Sequence, residues 1–292
     1  MRKVEPMQVV IYSLLFLLTL TVLIPILNLL AQSLTDPARA PEMGGLDIVP
    51  KGFSLVNYEV LLSNPLVTGS ILNSIWITAA GTFLNLLLTS MSAYVLARTN
   101  FAGKGAVLVF LIAIMVFEPG LVPQYLLVRD LGLLNTYAVL ILSGAVNIYY
   151  LFILMRFFQD VPEEILEAAR LDGAGHFRSY TRIMLPLSKP ALATMGLFYG
   201  IAHWNEYFKA TIYITDPAKW PLQVVLRQFV VRKDNTAILG TQNLLSYDKV
   251  AALDFASLQA GTIMIAMVPL LIVYPFILRY FAQGAFEGGV KD

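Results

Sequence analysis

Apolar runs of about 20 residues, each closed by polar or charged positions, set the pattern of this chain. A helix rises about 1.5 Å per residue, so ~20 residues cross ~30 Å of hydrocarbon. Six such runs predict membrane-spanning helices over Val9–Leu30, Ser70–Leu96, Gly105–Leu127, Tyr137–Phe158, Pro190–Ile214 and Ala256–Phe281. The first has the position of a secretory signal, but its apolar run is too long and five more follow. A retained anchor is therefore expected. Two long loops, 31–69 and 215–255, interrupt the series, and the second is polar and broken by the stretch DPAKWPLQ. That loop is expected to fold on the outer surface against the spans or a partner. There is no tandem repeat and no low-complexity tract.

Composition agrees with this pattern. Of 292 residues, 58% are hydrophobic and 13% charged, and mean hydropathy is +0.70. Soluble domains carry about 25% charged residues. A net charge of +1 gives no reason to expect a polyanionic partner. The absence of cysteine excludes disulfides, thiolate metal sites and a cysteine nucleophile, and two histidines leave little for a histidine-built metal centre. Most basic residues near the span ends fall on one side if the N-terminus is cytoplasmic: Arg2, Lys3, Arg98, Lys104, Arg156, Arg170, Arg178, Arg182, Lys189, Arg279 and Lys291, against Arg129 in a short outer turn. Both termini are expected inside. The expected class is an all-α polytopic membrane protein with six transmembrane helices.

One segment breaks the apolar pattern, PEEILEAARLDGAGHFRSYTRIMLPLSKP from Pro162 to Pro190. Pro162 suits a first helical turn, and Glu163, Glu164 and Glu167 lie near the positive end of the helix dipole. Asp172-Gly173 is expected to end this helix, with Gly173 in a left-handed cap. A second short helix fits His176–Leu185, stopped by Pro186, with Phe177, Tyr180, Ile183 and Met184 on one apolar face. Ala168 and Ala169 predict a flat patch that another protein can approach. Residues 156–190 hold as many acidic as basic side chains, so a nucleic-acid helix-turn-helix is excluded. Two readings remain on physical grounds: an amphipathic pair packed at the membrane surface, or a rigid knob that docks into a cytosolic partner.

EAARLDGAGHFRSYTRIMLP fits the EAA signature of ABC importer permeases, with Glu167, Ala168, Ala169, Gly173, Ile183, Leu185 and Pro186 filling its positions. GLVPQYLLVRDLGLLNTYAVLIL, FYGIAHWNEYF, WPLQVVLRQ and VPLLIVYPFILRYFAQG extend the resemblance over most of the chain. They look like the carbohydrate importers of the MalG type, and more narrowly the LplC/YtcP-like branch. The resemblance implies the type I importer fold as a single permease domain over 1–292, with a core at 69–282. A coupling loop would occupy 160–190, and 1–68 would hold the first span and an external loop. It implies ATPase coupling through Glu163, Glu167, Ala168, Ala169, Asp172, Gly173 and Ala174. It also implies a second homologous permease as heterodimer partner, two ATPase subunits and an extracytoplasmic sugar-binding protein, in a bacterial inner membrane. The implied cargo is an oligosaccharide from a complex polysaccharide, such as an alginate or pectin fragment. No cofactor is expected on this chain; ATP and Mg belong to the ATPases. Consistent with that, no G-x-x-x-x-G-K-[ST] loop occurs; around Gly103-Lys104, Arg98 and Gly105 stand where Gly and Ser or Thr are required.

Other polar residues within the apolar runs carry two readings each. Glu118, before Pro119 and Gly120, either ends its helix at the outer interface or lines the sugar pathway; the family pattern has a small residue there, so no role carries over. His203, Trp204, Asn205, Glu206 and Tyr207 either form an interfacial belt or recognise sugar through aromatic faces and polar groups. His203 and Glu206 lie one turn apart, but two ligands without a third make no metal site. Asn73, Asn85 and Asn147 are expected to bond between helices. The alternative function is an ion-gradient-driven secondary transporter, which would want midplane carboxylates and inverted repeats. No catalytic set is visible, so the chain is expected to be a transport subunit and not an enzyme.

Overall fold

The computed structural model describes residues 6–117, 119–232 and 254–288, with side chains as far as residue 275. Its helices are α1 (Pro6–Ser33), α2 (Val56–Ser63), α3 (Pro65–Arg98), α4 (Lys104–Val116), α5 (Leu121–Asp130), α6 (Tyr137–Leu142) and α7 (Ile148–Gln159). The charged segment gives α8 (Glu163–Leu171) and α9 (His176–Ser179), then a wider π-type turn, Tyr180–Met184, and α10 (Leu185–Leu187). There follow α11 (Lys189–Trp204), α12 (Phe208–Tyr213), α13 (Leu222–Val230) and α14 (Phe255–Gly288). Among the described residues the only β contact is an isolated bridge between Thr35 and Phe53.

Among the described residues, α1, α3 and α14 are long and apolar enough to cross a membrane unaided. The other three expected spans are each interrupted. The chain turns by 115° between α4 and α5, where Pro119 lacks an N–H and disfavours helix at the residue before it. Tyr137–Phe158 breaks at 143–147: Gly144 weakens the helix, and Asn147 caps the next one by accepting from the Tyr150 N–H at 3.2 Å. Pro190–Ile214 breaks at 205–207, after Asn205 closes α11. Composition alone conceals these breaks because the flanking residues stay apolar.

Contacts divide the chain into two compact units, 1–70 with 224–269 and 71–223 with 270–292. In the first, buried Asn57 ties α2 to the end of α1 by donating to the Ser33 and Thr35 carbonyls at 3.1 and 3.2 Å. Asn28 in α1 donates to the Gly44 and Asp47 carbonyls at 2.9 and 2.7 Å, which folds the external loop back on the helix. The Gly44 N–H holds the Asp47 carboxyl below the usual carboxylate range, with Lys51 adding to the effect.

In the second unit the core lies under the charged segment. Ala93, Tyr94 and Leu96 of α3 pack with Leu151, Leu154 and Phe158 of α7, Leu166 of α8, and Tyr180 and Met184. Of the loop expected over 215–255, the stretch 216–222 folds against α3 and Leu222–Val230 form α13, whereas 233–253 lie outside the described residues. Asn73 donates to the Ala218 and Trp220 carbonyls at 2.9 and 3.1 Å, and Ser74 Oγ accepts from the Leu222 N–H at 2.8 Å.

Candidate functional site

The charged segment forms the first candidate site. Glu163 opens α8 immediately after Pro162, and Gly173 ends it at φ 78°. The Gly173 and Ala174 N–H groups reach back to the Arg170 and Ala169 carbonyls at 3.0 and 2.8 Å, closing the helix as the left-handed cap requires. Leu166 and Ala169 face the core, whereas Glu164, Glu167 and Ala168 face outward and Leu171 is 90% exposed. Only Ala168 of the expected alanine patch therefore lies on the outer surface. Pro186 does not stop the second helix. The wider turn ahead of it relieves the clash a proline ring makes with the preceding turn, and helix continues to Leu187. Tyr180 and Met184 are buried and Ile183 half-buried, but Phe177 is 73% exposed, so the expected apolar face divides.

Glu163 is fastened from two sides. Its Oε2 accepts from Arg98 Nη1 at 2.8 Å and its Oε1 from Arg170 Nη2 at 3.0 Å. Arg98 also donates to the carbonyls of Phe158 at 2.8 Å, Gln159 at 3.3 Å, and Val161. Nothing in the EAA pattern pointed to Arg98.

The second candidate site is a cavity of about 550 Å³ in the same unit, onto which the breaks of all three interrupted spans converge. Its wall includes Pro119 and Gln124 from the first break, Ser143, Gly144, Val146 and Asn147 from the second, and Glu206 from the third, together with Asn85, Tyr149, Tyr150, Tyr199, His203 and Lys209. Irregular backbone at membrane depth persists only where it is buried or borders a wet cavity, because its polar groups need partners. Here wall side chains supply them. Gln124 Nε2 donates to the Pro119 carbonyl at 3.0 Å, and Asn85 Nδ2 to the Gly144 carbonyl at 3.1 Å. Tyr199 OH accepts from the Asn147 N–H at 3.0 Å, and Glu206 Oε1 from the Lys209 N–H at 2.9 Å.

Of the expected pathway residues, Glu206 lines the cavity. Trp204 is buried away from it, Asn205 and Tyr207 are exposed outside it, and Glu118 lies outside the described residues. His203 and Glu206 do not bond through their side chains: His203 Nε2 instead lies 3.3 Å from Asn85 Nδ2. Among the described residues no trio of His, Asp or Glu could hold a metal. Asn73 and Asn85 bond between elements as expected, with Tyr137 OH donating to Asn73 Oδ1 at 2.9 Å. Asn147 instead caps its own helix. Asn85, Gln124, Tyr199 and Lys209 entered no expected site; only their spacing across breaks, invisible without the fold, brings them together.

Three elements now coincide: an apolar helical bundle, a polar cavity built on broken spans, and a charged helix pair carrying the EAA residues. Residues 66–287 match the family described as "Binding-protein-dependent transport system inner membrane component", and the chain belongs to that family. It is an ABC transporter permease, a transport subunit. The chain is 40% identical over 271 residues to Protein LplC of Bacillus subtilis (strain 168), covering 92% of this chain and 89% of that one. Identity is 35% over 285 residues to the polygalacturonan/rhamnogalacturonan transport system permease protein YtcP of the same strain, covering 97% and 98%. In structure it matches a chain from the crystal structure of a bacterial ABC transporter involved in the import of the acidic polysaccharide alginate, with TM-score 0.87 and 27% identity, covering 96% and 98%. Permeases of this kind work with ATPase and substrate-binding partners. Nothing in these relatives supports an ion-gradient-driven carrier.

Proposed function

We propose that this chain is one of two homologous permeases in an importer of oligosaccharides released from an acidic polysaccharide, a pectin or alginate fragment. The whole chain acts as one permease domain with both termini cytoplasmic. Two ATPases bind ATP and Mg and dock on the loop 160–190. Glu167, Ala168 and Asp172 meet them, Gly173 and Ala174 shape the cap, and Glu163 and Ala169 hold the helix from within. A sugar-binding protein docks on the outer side, and the two events bias one two-state bundle between inward and outward access.

The carrying observation is the convergence of the three span breaks on one polar, aromatic cavity. Tyrosine faces suit sugar CH surfaces, and the amide groups of Gln124 and Asn147 suit hydroxyls. Glu206 belongs to this wall, and Glu118 is proposed as a pathway residue from its sequence position alone. Trp204, Asn205 and Tyr207 belong to the outer belt. The relatives' names, for polygalacturonan and alginate transport, support an acidic cargo. Calorimetry of the cognate binding protein against oligogalacturonides, oligoalginates and neutral oligosaccharides tests the substrate class. Tight binding of an acidic oligomer is expected; preference for neutral oligomers contradicts it.

A further inference from the structure

Arg98 is the last residue of α3, and its side chain is only 8% exposed although it borders the charged loop. Its guanidinium makes four hydrogen bonds, to the Phe158, Gln159 and Val161 carbonyls and to the Glu163 carboxylate. Phe158 and Gln159 close α7, where the last carbonyls of a helix have no partner within it. Glu163 is the first residue of α8. One planar group thus joins the ends of three helices, a task suited to the arginine fork and not to the point charge of lysine. Being buried, it has little water to replace these partners, so α8 cannot shift from α7 without either moving Arg98 or breaking the set.

A second fastening lies two turns back along α3. Ser90 Oγ is 2.7 Å from Tyr180 OH, and the Tyr94 and Tyr180 rings lie 5.4 Å apart. Both arms of the charged segment are therefore held by α3. That helix has no proline after its first residue, and it reaches the cavity wall at Asn85, about 20 Å from Arg98 along the axis.

We propose that Arg98 is the positioning residue through which displacement of the charged loop is delivered to α3, and so to the cavity wall. The proposal rests on the docking reading of the loop given above. It separates two routes: α7 is joined to α8 through the chain itself, whereas α3 is joined to it through side chains alone.

Because the chain lacks cysteine, single reporters can be introduced by Met91→Cys on α3 and Phe157→Cys on α7, both at exposed positions. Each carries a bimane label in the assembled transporter, with partner subunits freed of cysteine, and emission is read before and after trapping with ATP and vanadate. Both reporters are expected to respond when Arg98 is present. With Arg98→Gln the α3 response falls about fivefold or more while the α7 response persists, a loss within the usual range of site-to-site coupling. Glu163→Gln, which leaves the carbonyl bonds intact, produces a smaller loss of the same kind, and it decides the matter if Arg98→Gln does not assemble. An α3 response that survives both substitutions overturns the proposal, as does equal loss at both reporters. Silence at both reporters with Arg98 and Glu163 unaltered overturns the docking reading instead.

Discussion

The His203 imidazole packs against the bare Cα of Gly81: a methyl group built there would fall 2.5 Å from Nε2 and 2.8 Å from Cδ2. Asn85, one turn farther along α3, places its Nδ2 3.3 Å from the same Nε2. The absence of a side chain at Gly81 therefore sets how closely α11 approaches α3 behind the cavity. Gly81→Ala is expected to push the ring away and to cost about 1–3 kcal/mol, the usual range for overpacking. Thermal unfolding of the purified protein measures this, and His203→Ala is expected to restore much of the loss when combined with Gly81→Ala. Simple additivity of the two substitutions would mean that the contact does not govern packing.

Gly173 separates backbone strain from surface shape. It has φ 78°, yet a Cβ there meets nothing within 4 Å. Gly173→Ala and Gly173→Trp are expected to destabilise the permease by similar amounts, about 1–2 kcal/mol, because both force a side-chain-bearing residue into the left-handed region. Only Gly173→Trp is expected to abolish co-purification of the ATPase, since its ring projects into the docking surface. Equal co-purification by both variants would remove Gly173 from that surface.

Glu167 is exposed, and among the described residues no ion pair engages it. Glu167→Lys is therefore expected to leave the melting temperature within the small range of surface substitutions, about ±0.5 kcal/mol. Binding-protein-stimulated ATP hydrolysis is expected to drop sharply. A matched loss of stability would mark Glu167 as structural.

Lys209 is the cavity's lysine, 3.8 Å from the Glu206 carboxylate. Lys209→Gln is expected to lower uptake of uronate oligomers about tenfold, the equivalent of ~1.4 kcal/mol, and uptake of neutral oligomers much less. Parallel vesicle assays with both sugar classes read the difference. An equal effect on both classes would assign Lys209 to the α12 turn and not to the sugar.

Much of this was legible in the chain. The Asp172-Gly173 stop and the charged loop follow from capping chemistry and charge placement, which are local, whereas the EAA residues were legible only through the family resemblance. The apolar stretches were legible as helical, but three of them not as broken. Pro119 gave a warning; Gly144 and Asn205 did so only faintly, because the runs around them keep the hydropathy of a span. Asn85 was legible as a residue that bonds between helices but its partner was not, and Tyr199 drew no expectation, since their partners lie 59 and 52 residues away at Gly144 and Asn147. Arg98 was counted among the basic residues near span ends, a correct observation that carried no hint of the carbonyls it collects. Long-range pairing of that kind is a property of the fold and leaves no periodicity to read.

In the proposed mechanism this chain moves sugar only when a separate ATPase drives it. The most direct measurement is uptake of labelled oligogalacturonide into vesicles carrying the assembled permease pair, with and without its ATPase subunits and ATP, in the presence of the binding protein. Accumulation is expected only when ATPase and ATP are both present, and is expected to be lost with Glu167→Lys. Accumulation driven by an ion gradient without the ATPase would contradict it.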